Sequence, residues 1–492
     1  MAYYELITSL AAVFLLVFLI SHRPEFPEYS TFKRFGAGFF GTKPVHVVVQ
    51  NAYDKLGGVE PFVVRWWARD IVIMPRRYLK DLKSADRSHI SFFTSISRAF
   101  YLHTTVGDLY TADSSHRMVD VVKKGLNRRL PHLTPVLVEE IDYSFHKILG
   151  ESTGNFTGHQ FLSDDQELNP AAEWVEVKAA GLFAEVVHRA ATRILVSKEL
   201  SRNERFIKRS LSYTKSLFVT ALIITNLPLG PLRGILAWPL SCVRQWLLRE
   251  CKAISRQSVI NRVEESHKPG RREDYEDAIQ WTLDLFPQTG IEVSIERFQA
   301  ELLQNLWAAS GAPGGVLTEV IFQLLLHPEE LEIVRDECIQ NYRENVSVVR
   351  TVRDKPFQFS DGLILPVGSW FGFPIQAFHQ EEQNGATDRS TFIGFRFVTE
   401  DVDHSIIKEK TDKMGPTMVD TNNLVFGYGN HACPGRFIAV KLIKLVITTL
   451  LIGYEIKWEN KTHKRPTPIN VEGQFAPNME QSIFIRKRNE TA

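Results

Sequence analysis

The sequence predicts a fold that is mainly α with small β-sheets, held behind an N-terminal transmembrane anchor. Three observations carry this reading. Helical periodicity dominates from about residue 115 to 340, β-rich runs cluster near 45–80 and 355–380, and an apolar run opens the chain. At 492 residues the chain exceeds one ordinary core. Its hydrophobic content of 44% against 23% charged residues calls for a packed globular body. A formal net charge of +1 excludes a nucleic-acid binder that works through bulk charge.

Taken in chain order, Leu6–Ile20 is an apolar run broken only by Thr8 and Ser9, and its neighbours bring it near the length of a spanning helix. Arg23, Lys33 and Arg34 follow it, so the positive-inside rule places the body on the cytosolic side. No small-residue cleavage site is evident, which favours a retained anchor over a removed signal peptide. The prolines of HRPEFPEYS stop the helix and make a hinge. Residues 45–80 mix VHVVVQ, PFVVRWW and DIVIMP with turn residues, the pattern of a small sheet with one interposed helix. The helical body then runs through 118–130, VLVEEIDYSFHKIL and WVEVKAAGLFAEVVHRAATRIL. Leu217–Leu240 is apolar but carries Pro228, Pro231 and Pro239, so it reads as two helices joined by a Pro/Gly loop. Asp277–Phe286 is a further amphipathic stretch, and 355–380 turns β-rich around DG and PVG turns.

The chain has four cysteines, Cys242, Cys251, Cys338 and Cys433. None forms a CxxC pair, and no His/Cys spacing reads as a zinc site. Cys433 stands apart because it lies in FGYGNHACPGR, residues 426–436, with an apolar helix directly behind it. Gly427, Gly429, Pro434 and Gly435 let the backbone turn sharply and bring its amides to the sulfur. Amide donors and the helix N-terminus both stabilise a thiolate, which suits a ligand to haem iron. The alternative is a buried structural cysteine in a turn.

This loop resembles the haem-binding signature of the cytochrome P450 family, and the likeness covers nearly the whole chain after the anchor. It implies a cytochrome P450-like helical fold with three parts: an anchor at 1–23, a proline-bearing linker at 24–44, and a haem domain at 45–492. By the resemblance Cys433 is the axial ligand of haem b. Phe426 packs near the sulfur and, with Gly429 and Gly435, is part of the haem-binding set, while His431 and Arg350 are propionate partners. The same resemblance makes 360–380 the strand pair before the meander. It makes Phe392–Phe397 the meander itself, anchored by Arg396.

Two departures from the family pattern stand out. In the central helix the family carries an acid–threonine pair that relays protons. Here the corresponding positions in Ala308–Pro313 are Gly311 and Ala312, and neither can do so. Pro313 removes the donor for the Ala309 carbonyl, which makes Ser310 and a trapped water the candidate proton source; the alternative is that GAPGG simply bends the helix. The second departure comes after His327. Too few residues remain for the family's helices, and the segment near 336–350 reads as shortened. Glu332 and Arg335 match the family's Glu-x-x-Arg string but in the wrong helix, so they read as an ordinary surface pair. Gln340–Arg343 sits closer to the right place, with Arg343 left to pair with the meander.

The resemblance implies an endoplasmic-reticulum, single-pass haem-thiolate monooxygenase that oxidises an apolar small molecule. Its local flavour is that of filamentous-fungal members acting on terpenoid or polyketide-type secondary metabolites. Electrons would come from NADPH through cytochrome P450 reductase, with Lys441 and Lys444 placed to meet an acidic donor. Phe92, Phe93, Phe100 and Val349 are pocket candidates by position. A haem-thiolate isomerase or dehydratase, and a haem-free remnant, are the alternative readings.

Overall fold

The computed structural model describes residues 12, 26–36, 44–66, 69–86, 89–110, 112–152, 174–226, 233–268, 275–336, 350–352, 355–380, 416–421, 423–458, 464–471 and 474–488. Leu6–Ile20 (Ala12 excepted), Gln340, Arg343, Val349 and the Phe392–Phe397 run with Arg396 lie outside them. Helices of six residues or more are α1 (Val45–Lys55), α2 (Phe92–Ala99), α3 (Ala112–Asp120), α4 (Thr134–Ser152), α5 (Ala179–Leu195) and α6 (Glu204–Asn226). They continue with α7 (Arg233–His267), α8 (Ala278–Leu285), α9 (Ile295–Leu326), α10 (Pro328–Asp336), α11 (Ile375–Gln380) and α12 (Arg436–Gly453). Strands are β1 (Lys33–Phe35), β2 (Phe62–Trp66), β3 (Arg69–Ile73), β4 (Ile90–Ser91), β5 (Val175–Lys178), β6 (Arg350–Val352) and β7 (Phe357–Gln358). The remainder are β8 (Ile364–Leu365), β9 (Trp370–Gly372), β10 (Tyr454–Trp458), β11 (Ile469–Val471), β12 (Gln474–Ala476) and β13 (Ser482–Lys487). The described chain is therefore mainly helical with small sheets.

The largest sheet has the order β1-β2-β3-β9-β6-β4. PFVVRWW and DIVIMP supply its antiparallel pair β2–β3, with Val63 opposite Val72. Strand β9 joins β3 in parallel, Ile71 beside Trp370, and β6 returns antiparallel to β9. VHVVVQ departs from the expectation and begins α1. Val45, Val48, Val49 and Ala52 are all buried on one face of that helix, and burial at helical spacing outweighs β-branched propensity. Residues 175–178 also depart, because Val175–Lys178 form β5 before α5 begins. Strand β13 is the middle strand of the β10-β13-β5 sheet, and pairing with it captures this segment.

The apolar Leu217–Leu240 stretch resolves into the end of α6 and the start of α7, with 227–232 outside the described residues. Pro239 lies inside α7 and does not end it. The 277–286 stretch becomes α8, capped by Asp277, which accepts the Gln280 N–H at 3.0 Å while pairing with Arg262.

Helix α9 is the spine of the core. Ser294 caps it, and it runs unbroken across Pro313 to His327, where Pro328 starts the next helix. Among the described residues it is the one helix long and apolar enough to cross a membrane, and most of that window is buried in the protein. Gly314 permits a close crossing with α5, since a Cβ there would lie 3.1 Å from the Ala184 Cα. Trp458 caps the far end by donating its indole N–H to the Leu325 carbonyl at 3.1 Å.

On the other face of α5, His188 is fully buried, with Nε2 2.7 Å from the Ser210 hydroxyl of α6 and Nδ1 without a partner. Burial, helped by Arg189 and Lys215, pushes its pKa down to about 3. The native state thus refuses a proton that the unfolded chain takes up at about pH 6.5. Stability is retained above that pH and lost as pH falls toward the native value, by about 1.4 kcal/mol per unit. Between pH 7 and 5 the wild type is expected to lose about 2 kcal/mol more than His188→Gln in chemical denaturation.

Candidate active site

Cys433 sits at the end of a loop closed on itself. Its N–H donates to the Phe426 carbonyl at 2.7 Å, and inside the closure Gly427 N–H reaches Leu424 O at 2.8 Å. Gly427 and Gly429 adopt φ of +81° and +57°, left-handed values that favour glycine. Gly429 carries a second constraint. A Cβ there would fall 2.5 Å from the Lys83 Cα and closer still to its carbonyl oxygen. The absent side chain lets the loop press onto the 83–85 segment, where Asn430 N–H donates to Lys83 O at 3.0 Å. His431 Nε2 reaches the Ala85 carbonyl at 3.0 Å, so this histidine also docks the loop.

Behind the cysteine, Gly435 is the N-cap of α12, and its Cβ position lies 4.0 Å from the Cys433 sulfur. The sulfur therefore sits against the positive end of an apolar helix. Arg436 ties down the start of that helix through the Cys433 carbonyl at 3.0 Å and the Thr417 carbonyl at 2.9 Å. Burial holds this arginine below its ordinary value, and the neighbouring sulfur opposes that. Phe426 is half-buried, and the Cys433 residue itself is exposed.

Helix α9 packs on α12 and shows an anomaly for a core helix. Leu306, Ser310, Pro313 and Gly314 are buried, yet Ala308, Gly311 and Ala312 are exposed. Two alanines and a glycine leave a bare stripe in mid-helix. Gln304 lies on the same stripe, one turn before Ala308. Its amide bridges two buried phenols, accepting from Tyr110 at 2.7 Å and donating to Tyr213 at 2.7 Å. Burial pushes both phenols up. Aromatic side chains continue the wall. Phe100 meets Trp307 edge-on at 5.4 Å, and Phe93 stacks on Tyr110 at 5.4 Å. Beside them lies a cavity of about 550 Å³ lined by Thr94, Ser97, Arg98, Tyr101, Tyr110 and Trp370, among others.

Ser310 is buried, off the bare stripe, and its hydroxyl donates to the Leu306 carbonyl at 2.5 Å. Arg350 lies in β6 opposite Phe371, which fixes its backbone alone. Phe92 is 42% exposed. Glu332 is exposed on α10, and nothing is described of the Arg335 side chain. Lys441 and Lys444 are half-buried on α12, and burial lowers the Lys441 pKa. The docking of Gly429 on Lys83 and the bridge through Gln304 were missed from sequence. A lone glutamine four and seven residues before Ala308 and Gly311 was the available signal for the latter.

The residues present fit haem: one accessible thiolate donor at a helix N-terminus, and a bare helical stripe for the macrocycle. A helical body with one such cysteine defines the haem-thiolate class of oxidoreductase. No protein-family model matches the chain. Over 462 residues it is 31% identical to the cytochrome P450 monooxygenase sirB of Leptosphaeria maculans, across 87% of this chain and 83% of that protein. It is 26% identical to an ent-kaurene oxidase of Gibberella intermedia over 472 residues, covering 90% and 83% of the two chains. The cytochrome P450 monooxygenase paxP of Penicillium paxilli matches at 26% over 481 residues, covering 90% and 85%. The chain belongs to the cytochrome P450 family. It is a haem-thiolate monooxygenase, which takes electrons from a redox partner to oxidise a small molecule.

Gly429→Ala places a side chain into Lys83 and forces a left-handed non-glycine residue. Strain and overpacking together are expected to cost about 2–5 kcal/mol. Haem-to-protein ratio and thermal denaturation check this, with Gly453→Ala, which meets nothing within 4 Å, as the unperturbed control.

Proposed function

We propose that this chain is an endoplasmic-reticulum monooxygenase, held by a single N-terminal anchor at 1–23 through a linker at 24–44, with its 45–492 haem domain in the cytosol. Its electrons come from NADPH through cytochrome P450 reductase. Its substrate is an apolar terpenoid or polyketide-type secondary metabolite. The observation that carries the reading is Cys433 set against the N-terminus of α12, a helix that packs on α9, the core helix that bears the bare Ala308–Gly311–Ala312 stripe. Phe93, Phe100, Phe218 and Trp307 supply an apolar wall. One relative is named for the oxidation of ent-kaurene, which agrees with an apolar substrate.

Each residue has a part. Cys433 provides the thiolate, and bound haem supplies the dioxygen chemistry of the class. The Phe426 carbonyl, Gly429 and His431 hold the loop in the shape that presents the sulfur. Gly311 and Ala312 would leave room beside bound haem, and they offer no hydroxyl or carboxyl to hold a proton. On this reading Arg350 pairs with a propionate, and Lys441 and Lys444 meet an acidic donor surface. The monooxygenase names of the relatives weigh against the isomerase or dehydratase alternative.

Cys433→Ser is expected to abolish the thiolate-type Soret band of the reduced, CO-bound protein. It should also abolish product formation in microsomes containing reductase and NADPH. Retention of an unaltered spectrum would overturn the proposal. Product analysis of the wild type beside reductase, with ent-kaurene among the candidates, tests the substrate class.

A second membrane contact is supported by the face shared by α6 and α7. Val219, Ile223, Trp238, Val243 and Trp246 are exposed there, Trp238 by 71%. A chain lacking residues 1–23 is expected to sediment partly with microsomes at high salt. Trp238→Glu with Trp246→Glu should move most of it to the supernatant. Equal sedimentation of both forms would count against this contact.

A further inference from the structure

We propose that Asn127 is a positioning residue for the thiolate, acting through the peptide on the C-terminal side of the cysteine. Helix α3 does not end at Asp120. It widens into a π turn over Val121–Leu126 and continues through Asn127–Arg129. A π turn carries one extra residue and rotates the next turn of helix, and such turns concentrate at functional sites. Its position is set by a close contact. Gly125 lies against the buried Trp281 of α8, where a Cβ would fall 2.8 Å from the Trp281 Cβ. The next side chain to emerge near the cysteine loop is Asn127. Its Nδ2 donates to the Pro434 carbonyl at 3.0 Å, across 307 residues of sequence.

A carbonyl only accepts, so the amide orientation is fixed by this bond. The consequence is an Oδ1 that is buried with no partner. A buried, unmatched acceptor costs stability. An asparagine kept there at that cost points to a role for its donor.

The peptide held by this donor is specific. Pro434 and Gly435 share one trans peptide, whose oxygen and N–H lie on opposite edges of a rigid plane. Gly435 is the residue whose Cβ position lies 4.0 Å from the sulfur. Anchoring the oxygen therefore fixes how the Gly435 N–H dipole meets the thiolate. The neighbouring peptides are already held: Cys433 N–H by Phe426 O, and Cys433 O by Arg436. Asn127 completes the set from a different helix. Donors near a thiolate set how much charge it pushes to the iron, so this amide tunes the potential of the bound group.

The inference rests on Cys433 being the ligand. The test uses the full-length holoprotein and Asn127→Leu, which keeps the size, adds no charge and removes the donor. The ferric/ferrous potential is expected to shift to more negative values. The thiolate-type CO spectrum should decay to the thiol type several-fold faster than in wild type. Asn127→Gln, which restores a donor, should recover most of both. Should Asn127→Leu fail to retain haem, Asn127→Ala reads the same quantities. An unchanged potential and decay in the donor-free variant overturns the proposal. So does a Gln variant displaced as far as Leu, which marks a packing role alone. Either failure leaves the Cys433→Ser result standing, so the two readings are separable.

Discussion

The hydrogen bond from Cys433 N–H to the Phe426 carbonyl draws the two ends of the cysteine loop together, and the rest of the site is built around that closure. A loop closed this tightly needs left-handed backbone at Gly427 and Gly429, and it needs a surface to press against. That surface is the Lys83–Ala85 segment, which follows the short helical turns Arg76–Tyr78 and Leu79–Leu82. Asn127 approaches from α3, and Arg436 pins the start of α12. Elements more than three hundred residues apart in sequence thus meet at one loop. Each contributes a backbone or amide contact and not a second metal ligand.

Helix α9 answers a different demand. It must be buried enough to serve as the core spine and bare enough on one stripe to admit a planar group. Small residues at 308, 311 and 312 meet the second demand, and Gly314 spends its missing side chain on the α5 crossing instead. The helix carries Pro313 without breaking, although a helical proline costs about 3 kcal/mol in isolation. Burial on both sides of the proline supplies the compensation. With Ser310 bonded back to Leu306, the stripe itself holds no protic side chain until Gln304, one turn before Ala308. The polar groups nearest the stripe are Gln304 with the Tyr110 and Tyr213 phenols.

Much of this was legible in sequence, and the illegible parts have physical reasons. FGYGNHACPGR gave the loop, its glycines and its helix because those constraints are local. The helical body came from apolar spacing, since burial at 3.6-residue period dominates. VHVVVQ misled because valine favours strands until one face of a helix finds a core. Val175–Lys178 misled because β13, three hundred residues away, decides its fate. Asn127 left no trace in sequence. Its partner is a backbone carbonyl, its reach depends on a π turn, and the π turn depends on Gly125 meeting Trp281.

Helix α7 joins the two sides of the molecule in a way no single residue announces. One face presents Trp238, Val243 and Trp246 to the outside. The opposite face buries Arg244 completely. Burial pulls that arginine down to about 10, which is the cost of placing a guanidinium among neutral groups. It is held by the Phe100 carbonyl at 2.7 Å and the Ser241 hydroxyl at 3.1 Å, while Gln245 donates to Thr104 O at 2.6 Å. Between those anchors Tyr101 sits at φ +50°, a strained value that needs such support. Phe100, on the same segment, meets Trp307 of α9 beside the bare stripe. A displacement of α7 must therefore carry the Phe100–Thr104 segment with it or leave a buried cation without acceptors. The apolar outer face and the aromatic pocket wall are in that sense one mechanical unit, joined by the buried bonds of Arg244 to Phe100 O and Ser241 Oγ and by the half-buried bond of Gln245 to Thr104 O.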